Sequence, residues 1–406
     1  MSKDSITLDL NTLTNAVQGG YSAIRLVARL QPAGGAGSKV FPPTHSEGKY
    51  AWETRLVGDG EIVRTVLLDS VQSQANRMEQ ALKEAYLSEQ IKFPLLSVDF
   101  GKQFPDIGEI TTLDAPHRIA DAIFRDSLLN GQKFPETDIA KAYSAANQRN
   151  ATALYQYCPH ALIFGIWDST GSAGGLGNKF QRIVVSEIVG VQAEAGVLTS
   201  SRIDPLGIKT VEIYKTENNG WTADKSLAKK DKKGEAIKIK PSEVNHSNIP
   251  PTIEKADRSD DFIRGGVTIR YAQQTTVLSL PALRRLHFPV NSSSTNVAGV
   301  NNAARTVLAA LGLTAITHQL ENGYDLRSRC LLIAEGKFEF ELIDNFGQSK
   351  VFALTVADAD SLFKAAVDQA NKSGITWSDS KLSLEPTQDL VTLVSMSRKA
   401  TSLVEE

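Results

Sequence analysis

The chain has little that would mark it as secreted, membrane-spanning or metal-bound. Only two of its 406 residues are cysteine, Cys158 and Cys330, far apart and beside apolar neighbours. That usage fits two buried, reduced thiols rather than a disulfide framework, and it lacks the clustered Cys/His set of a structural zinc site. The six histidines, His45, His117, His160, His246, His287 and His318, show no ligand spacing. No apolar run approaches the roughly 18 residues a spanning helix needs. The longest runs, around Ala161–Trp167 and Cys330–Ala334, are strand-sized. Met1–Asp9 alternates polar and apolar residues and carries acid, so it does not read as a signal peptide. The expectation is a cytoplasmic protein with no cofactor, no metal and no membrane partner.

An excess of one charge is also missing. There are 44 Lys+Arg against 46 Asp+Glu, a formal net charge of −2. This excludes a surface coated uniformly in positive charge, the usual footprint of a nucleic-acid binder. The 41% of hydrophobic residues excludes a largely disordered chain. Catalytic signatures are thin. No GxSxG elbow, HExxH helix or GxxxxGK[ST] loop is present, and the lone aspartates Asp69 and Asp168 read as cap or turn residues. A nucleotide-binding metabolic protein is disfavoured on the same grounds, and the expectation is a protein that is not an enzyme.

The distribution of charge carries more than its sum. From Phe262 to Leu320, 59 residues, there is no Asp or Glu, while Arg264, Arg270, Arg284, Arg285 and Arg305 lie inside. Leu10–Ser46 is acid-free around Arg25, Arg29 and Lys39, and Ser169–Ser186 is acid-free around Lys179 and Arg182. Core strands account for part of this. The crowding of Arg284, Arg285 and His287 in Pro281–Pro289 suggests a positive face for a phosphate-backbone ligand.

Periodicity predicts a mixed α+β chain with mainly antiparallel strands. A helix is predicted from Asp69 or Ser70 to about Tyr86, with Val71, Ala75, Met78, Leu82 and Ala85 on one face. Others are predicted at Asp114–Asn130, Thr137–Tyr157, Val297–Leu313 and Asp358–Lys372. Strands are predicted at Ala161–Trp167, Ile183–Val191 and Gly266–Leu280. Cys330–Ala334 and Lys337–Ile343 read as a hairpin through Ala334–Gly336. Residues 1–406 read as one domain, with Thr216–Asp261 a polar, Lys-rich insertion that is either a solvated loop or a mobile basic hairpin.

Two glycine clusters precede basic residues: Gly34–Ser38 before Lys39, and Gly171–Asn178 before Lys179 and Arg182. Glycine lets backbone N–H groups approach an anion, and the basic side chain supplies charge. On the helix from Ser70, the residues Ser73, Gln74, Asn76 and Arg77 fall around the sides and outer face. Neutral donors beside an arginine suit phosphate and sugar contacts.

Five strings together resemble one family. They are Leu30-Gln31-Pro32-Ala33-Gly34-Gly35 with Lys39-Val40-Phe41-Pro42-Pro43; Leu68–Arg77; Leu113-Asp114-Ala115-Pro116-His117-Arg118; Phe164–Gly171 running into Gly174–Gly177; and Leu283-Arg284-Arg285-Leu286-His287-Phe288-Pro289. The chain resembles the CRISPR-associated RAMP backbone subunit of the type I-U (also called I-G) Cascade-like surveillance complex. The resemblance implies an RNA-recognition-motif or ferredoxin-like antiparallel core with inserted finger or thumb elements. It implies copies of the chain side by side along a guide RNA (crRNA), pairing with target DNA. The other implied partners are a RAMP end-capping subunit, a large subunit and a recruited helicase-nuclease. Ser73, Gln74, Asn76 and Arg77 match a Ser-Gln-x-x-(Lys/Arg) pattern that touches the guide backbone in type I relatives. Lys39, Lys179 and Arg182 follow from the glycine loops, and Arg284, Arg285 and His287 would touch guide or neighbour. The thumb would be Thr216–Asp261 or the region between Arg29 and Val66. Few aromatics are expected to read bases. The alternative is a RAMP-type endoribonuclease using Asp69 or one of His117, His160 and His287.

Overall fold

The computed structural model describes residues 6–57, 60–167, 179–254, 265–290, 297–377 and 381–405. The alternation in the sequence builds a central sheet. Tyr21–Pro32 (β1) buries Ile24, Leu26, Ala28 and Leu30 and turns Arg25, Val27 and Arg29 to the other face. The remaining main strands are Trp52–Val57 (β2), Glu61–Asp69 (β3), Val184–Val191 (β4), Tyr271–Ser279 (β5), Leu331–Ala334 (β6), Phe340–Asp344 (β7) and Ser349–Phe352 (β8). Their order is β6–β1–β5–β4–β3–β2, with β7 also on β1 and β8 beside β7. Every pairing among them is antiparallel.

Two long helices cover one face of this sheet: Val71–Leu87 (α1) and Val297–Glu321 (α2). The chain therefore runs β1–α1–β4–β5–α2–β6/β7, and the sheet order β6/β7–β1–β5–β4 is that of a ferredoxin-like core. The β2–β3 hairpin extends its edge beyond β4.

The expected hairpin between β6 and β7 does not form. Both strands pair with β1 instead, Leu332 to Ala334 against Pro32 to Leu30 and Phe340 to Ile343 against Leu26 to Ala23. The segment is one antiparallel partner interrupted by extra residues, and the Glu335 amide keeps the ladder by donating to the Arg29 carbonyl at 2.9 Å.

The acid-free stretch has a structural explanation. Every residue from Ala303 to Leu320 in α2 is buried, and a helix buried all round has no side for acids. At Gly312 an added Cβ would lie 3.1 Å from Leu278 and 3.2 Å from Val184, so glycine lets α2 lie close on the sheet. Two arginines of the stretch, Arg305 and Arg284, act as clamps on carbonyls. Arg305 Nε donates to Leu286 O at 2.8 Å. Arg284 donates to Ala16 O and Val17 O at 3.3 Å and to Tyr21 O at 2.8 Å, which ties off the helix Leu10–Gln18. Arg264 lies outside the described residues.

Three further expectations are corrected. Ala161–Trp167 is not a strand: Pro159–Phe164 is helical with proline at its start, and only Ile166–Trp167 is extended. Asp114–Asn130 is not one helix. Asp121 accepts from the amides of His117 and Ile123 and starts a new four-residue helix, followed by the strand Ser127–Leu129. Thr137–Tyr157 is broken at an Asn147/Asn150 turn into Asp138–Ser144 and Thr152–Tyr157. Between β4 and β5 the chain makes a β-rich excursion. Leu198–Arg202 pairs with Ile249–Glu254, and Ile213–Lys215 pairs with Trp221–Thr222 and Lys238–Ile239. The Lys-rich segment thus contains ordered strands, and Lys229 and Lys238 pair with Glu217 and Glu212. Cys158 and Cys330 are buried and unbonded, as expected.

Arg284→Ala should lower unfolding stability by about 1–3 kcal/mol, because three carbonyl contacts to a charged donor are lost. Denaturant melting reads this, and an unchanged midpoint would mean the clamp contributes nothing.

Candidate nucleic-acid interface

Ser70 starts α1 by accepting from the Ser73 amide at 3.2 Å. The helix turns Gln74, Ala75, Met78, Glu79, Ala81, Leu82 and Ala85 inward. Gln74 is therefore not on the outer face. Its side chain is fully buried, donates to Asp69 Oδ2 at 2.7 Å, and accepts from Ser186 Oγ at 3.0 Å and Gln274 Nε2 at 2.8 Å. The polar residue lies inward because the buried network supplies its partners. Arg77 also turns to structural partners, Asp69 Oδ2 at 2.9 Å and Leu326 O at 2.6 Å. Ser73 is half-buried beside Ser70, whereas Asn76 is exposed.

Asp69 is fully buried and accepts from Gln74, Arg77 and Arg327. His160 is also fully buried. Burial, aided by the Arg118 charge, pushes its pKa down to about 3, and its Nε2 lies 3.2 Å from Thr112 O. Neither is placed to meet an RNA strand. Arg285 and His287 are exposed, and the His287 ring lies 3.5 Å from the Asn301 amide. Lys39 donates to Val197 O at 2.9 Å, at the start of the β-rich excursion.

A cleft of about 760 Å³ opens where α1 meets the segments around residues 117, 166 and 180. It brings together Asn76, Lys179 and Arg182 with His117; Lys39, Arg284, Arg285 and His287 do not line it. Its floor is a buried ion pair. Arg118 grips Glu79 with two bonds of 2.6 and 2.7 Å and donates its third branch to Gly165 O at 2.8 Å. Burial pushes the Glu79 carboxyl up, and Arg118 opposes it. Gly165 has φ +85, and an added Cβ would sit 3.0 Å from Phe180 O and 3.1 Å from Arg182, so only glycine allows this crossing. Beyond it, Ile166–Trp167 pairs with Lys179–Phe180. The glycine cluster Gly171–Asn178 between them lies outside the described residues.

Arg182 is half-buried, and its buried Nε has no hydrogen-bond partner among the described residues. Burial first, then repulsion from Arg118, lowers its pKa, with Glu79 opposing. Lys179 is exposed, 5.7 Å from the Trp167 ring centroid. Neither cation forms an ion pair among the described residues. The open face of the sheet is different. Its arginines are matched by acids: Arg25 with Glu341 at 2.7 Å, Arg29 with Glu335 at 2.8 Å and Arg55 with Glu187 at 2.6 Å. An anion gains more at the cleft than on that face, because the cleft's cations are not already neutralised. Sequence reasoning missed Arg118 as a site residue, because an arginine beside a proline turn carries no local sign of its buried glutamate. It also missed Trp167, although a tryptophan at the mouth of a glycine-rich loop is a usable signal.

Part of the chain matches a family model. Residues 24–195 match the model of CRISPR-associated protein GSU0053. That span contains most of β1, all of β2 to β4 and α1, and every residue lining the cleft. The match supports a CRISPR-associated identity and a role in CRISPR defence, with partners inside a CRISPR complex. No curated protein matches the chain. Among the described residues, no helix is long and apolar enough to cross a membrane, and no group of three or more His, Cys, Asp or Glu is arranged to hold a metal ion.

Asp69→Ala should destabilise the fold by about 3–5 kcal/mol, since two guanidiniums lose their buried counter-charge. Asp69→Asn should cost less. Unchanged stability in both, with loss of an RNA-cleaving activity, would assign Asp69 to catalysis instead.

Proposed function

We propose that the chain is a guide-RNA (crRNA)-binding backbone subunit of a type I-U (I-G) Cascade-like surveillance complex. It oligomerises along the spacer and supports target-DNA pairing without a catalytic step of its own. The observation that carries this reading is the cleft's electrostatics. Arg182 stands half-buried beside Arg118, with Lys179 at the rim, and no carboxylate pairs with either free cation among the described residues. Phosphate oxygens supply the missing acceptors. Gln72 and Asn76 line the same cleft and offer neutral donors for phosphate or sugar, which suits a subunit that must accept any spacer.

The neighbours in this reading are further copies of the chain, a RAMP end-capping subunit, a large subunit and a helicase-nuclease. The excursion between β4 and β5 serves as the thumb. It leaves Ile203, Leu206 and Trp221 exposed, an apolar surface suited to a neighbour or to a duplex.

The direct test is purification from cells expressing a CRISPR array. Short guide RNA should co-purify, and Arg182→Ala or Lys179→Ala should weaken its binding for every spacer and flatten the salt dependence. Recovery free of RNA, or a loss confined to one spacer sequence, would overturn the reading. Labelled precursor and target RNA should stay intact with the purified chain, with or without Mg²⁺.

A further inference from the structure

The cleft is larger and more apolar than phosphate contacts require. Its volume is about 760 Å³, and its wall includes Val71, Pro116, Ile166, Phe180 and Val185. Phe164 and Phe180 line it but are buried, whereas Trp167 stays 55% exposed. Other aromatics of the sheet region are closely covered. A guanidinium sits 3.9 Å from the ring centroid of Tyr271, Trp52 and Phe41, supplied by Arg29, Arg64 and Arg329. The ammonium of Lys179 stands off Trp167 at 5.7 Å. An exposed indole with an exposed cation beside it, on the rim of a cleft that also holds a cation short of acceptors, has the parts of a nucleotide site.

We propose that the cleft takes one RNA nucleotide as a unit, its base stacked on the exposed indole of Trp167 and its phosphate on Lys179 and Arg182. This inference rests on the RNA-binding reading above and adds to it a base contact. The contact is indifferent to sequence, because every base has a π-face and the guanidiniums of the wall, Arg118 and Arg182, are taken up by Glu79 and by the phosphate. The rim amides Gln72, Asn76 and Gln181 can each donate or accept, so they tolerate any base edge.

The test uses the full chain with two probes of equal length, an oligouridine and an abasic ribose-phosphate oligomer. Oligouridine should quench tryptophan fluorescence in the parent chain, and the quench should vanish in Trp167→Phe while affinity is retained. Trp167→Ala should lose about ten- to a hundredfold in affinity for oligouridine and nothing for the abasic oligomer. Arg182→Ala should weaken both. If Trp167→Ala binds both probes as the parent does, or loses both alike, stacking is overturned while the phosphate reading survives on Arg182→Ala. If the parent binds neither probe, the RNA-binding reading fails and this inference with it.

Discussion

A carboxylate buried at the end of β3 constrains much of this molecule. Asp69 is out of solvent, and an isolated charge there would be very unfavourable. The fold answers by bringing two guanidiniums and an amide to it from separate parts of the chain, Arg77 and Gln74 on α1 and Arg327 from beyond α2. Gln74 then passes the polarity inward. It accepts from Ser186 on β4 and Gln274 on β5, and Gln274 donates to Gln319 on α2 and accepts from Tyr324. Both helices and the middle strands are thereby fixed in one register by bonds that apolar packing alone would not specify.

The cleft depends on this arrangement because α1 is its wall. With Gln74 held inward, Asn76 and Gln72 can only face outward, and Glu79 is carried out of solvent, where burial obliges it to recruit Arg118. Arg118 in turn raises the local positive potential felt by Arg182. The free cations are thus set by a chain of charge compensations that begins in the core and ends with two cations, Lys179 and Arg182, left without an ion pair among the described residues. Removing both would leave only the paired Arg118 and Glu79, a neutral cleft like the open face of the sheet.

The parts of the fold that were legible in the sequence are those where one face meets water. The helix from Ser70 and the alternation of β5 carry a periodicity that solvent imposes, and β4 shows as a β-rich run. Less was legible where partners lie far off in sequence. Gln74 and Arg77 look like surface donors until Asp69, Gln274 and Arg327 are placed around them. Arg284 and Arg305 look like a basic patch until the carbonyls of Ala16, Tyr21 and Leu286 are seen to take them up. Pro159 and Gly165 bracket a helix in a run whose apolar residues read equally well as a strand.

The same distance defeats charge counting along the chain. Arg25 and Glu341 are separated by 316 positions and lie 2.7 Å apart, so an acid-free window around Arg25 is neutral in space. The longest acid-free stretch holds a buried helix, a central strand and carbonyl clamps, which account for much of its missing acid and for Arg284 and Arg305. The shorter stretch around Lys179 and Arg182 matters more, because Glu79, the acid whose charge reaches Arg182, is already held by Arg118. A polyanion responds to charge left over after the fold has made its internal pairs. In a chain of net charge −2 that remainder can still be positive at one cleft, and near-neutrality overall does not oppose it.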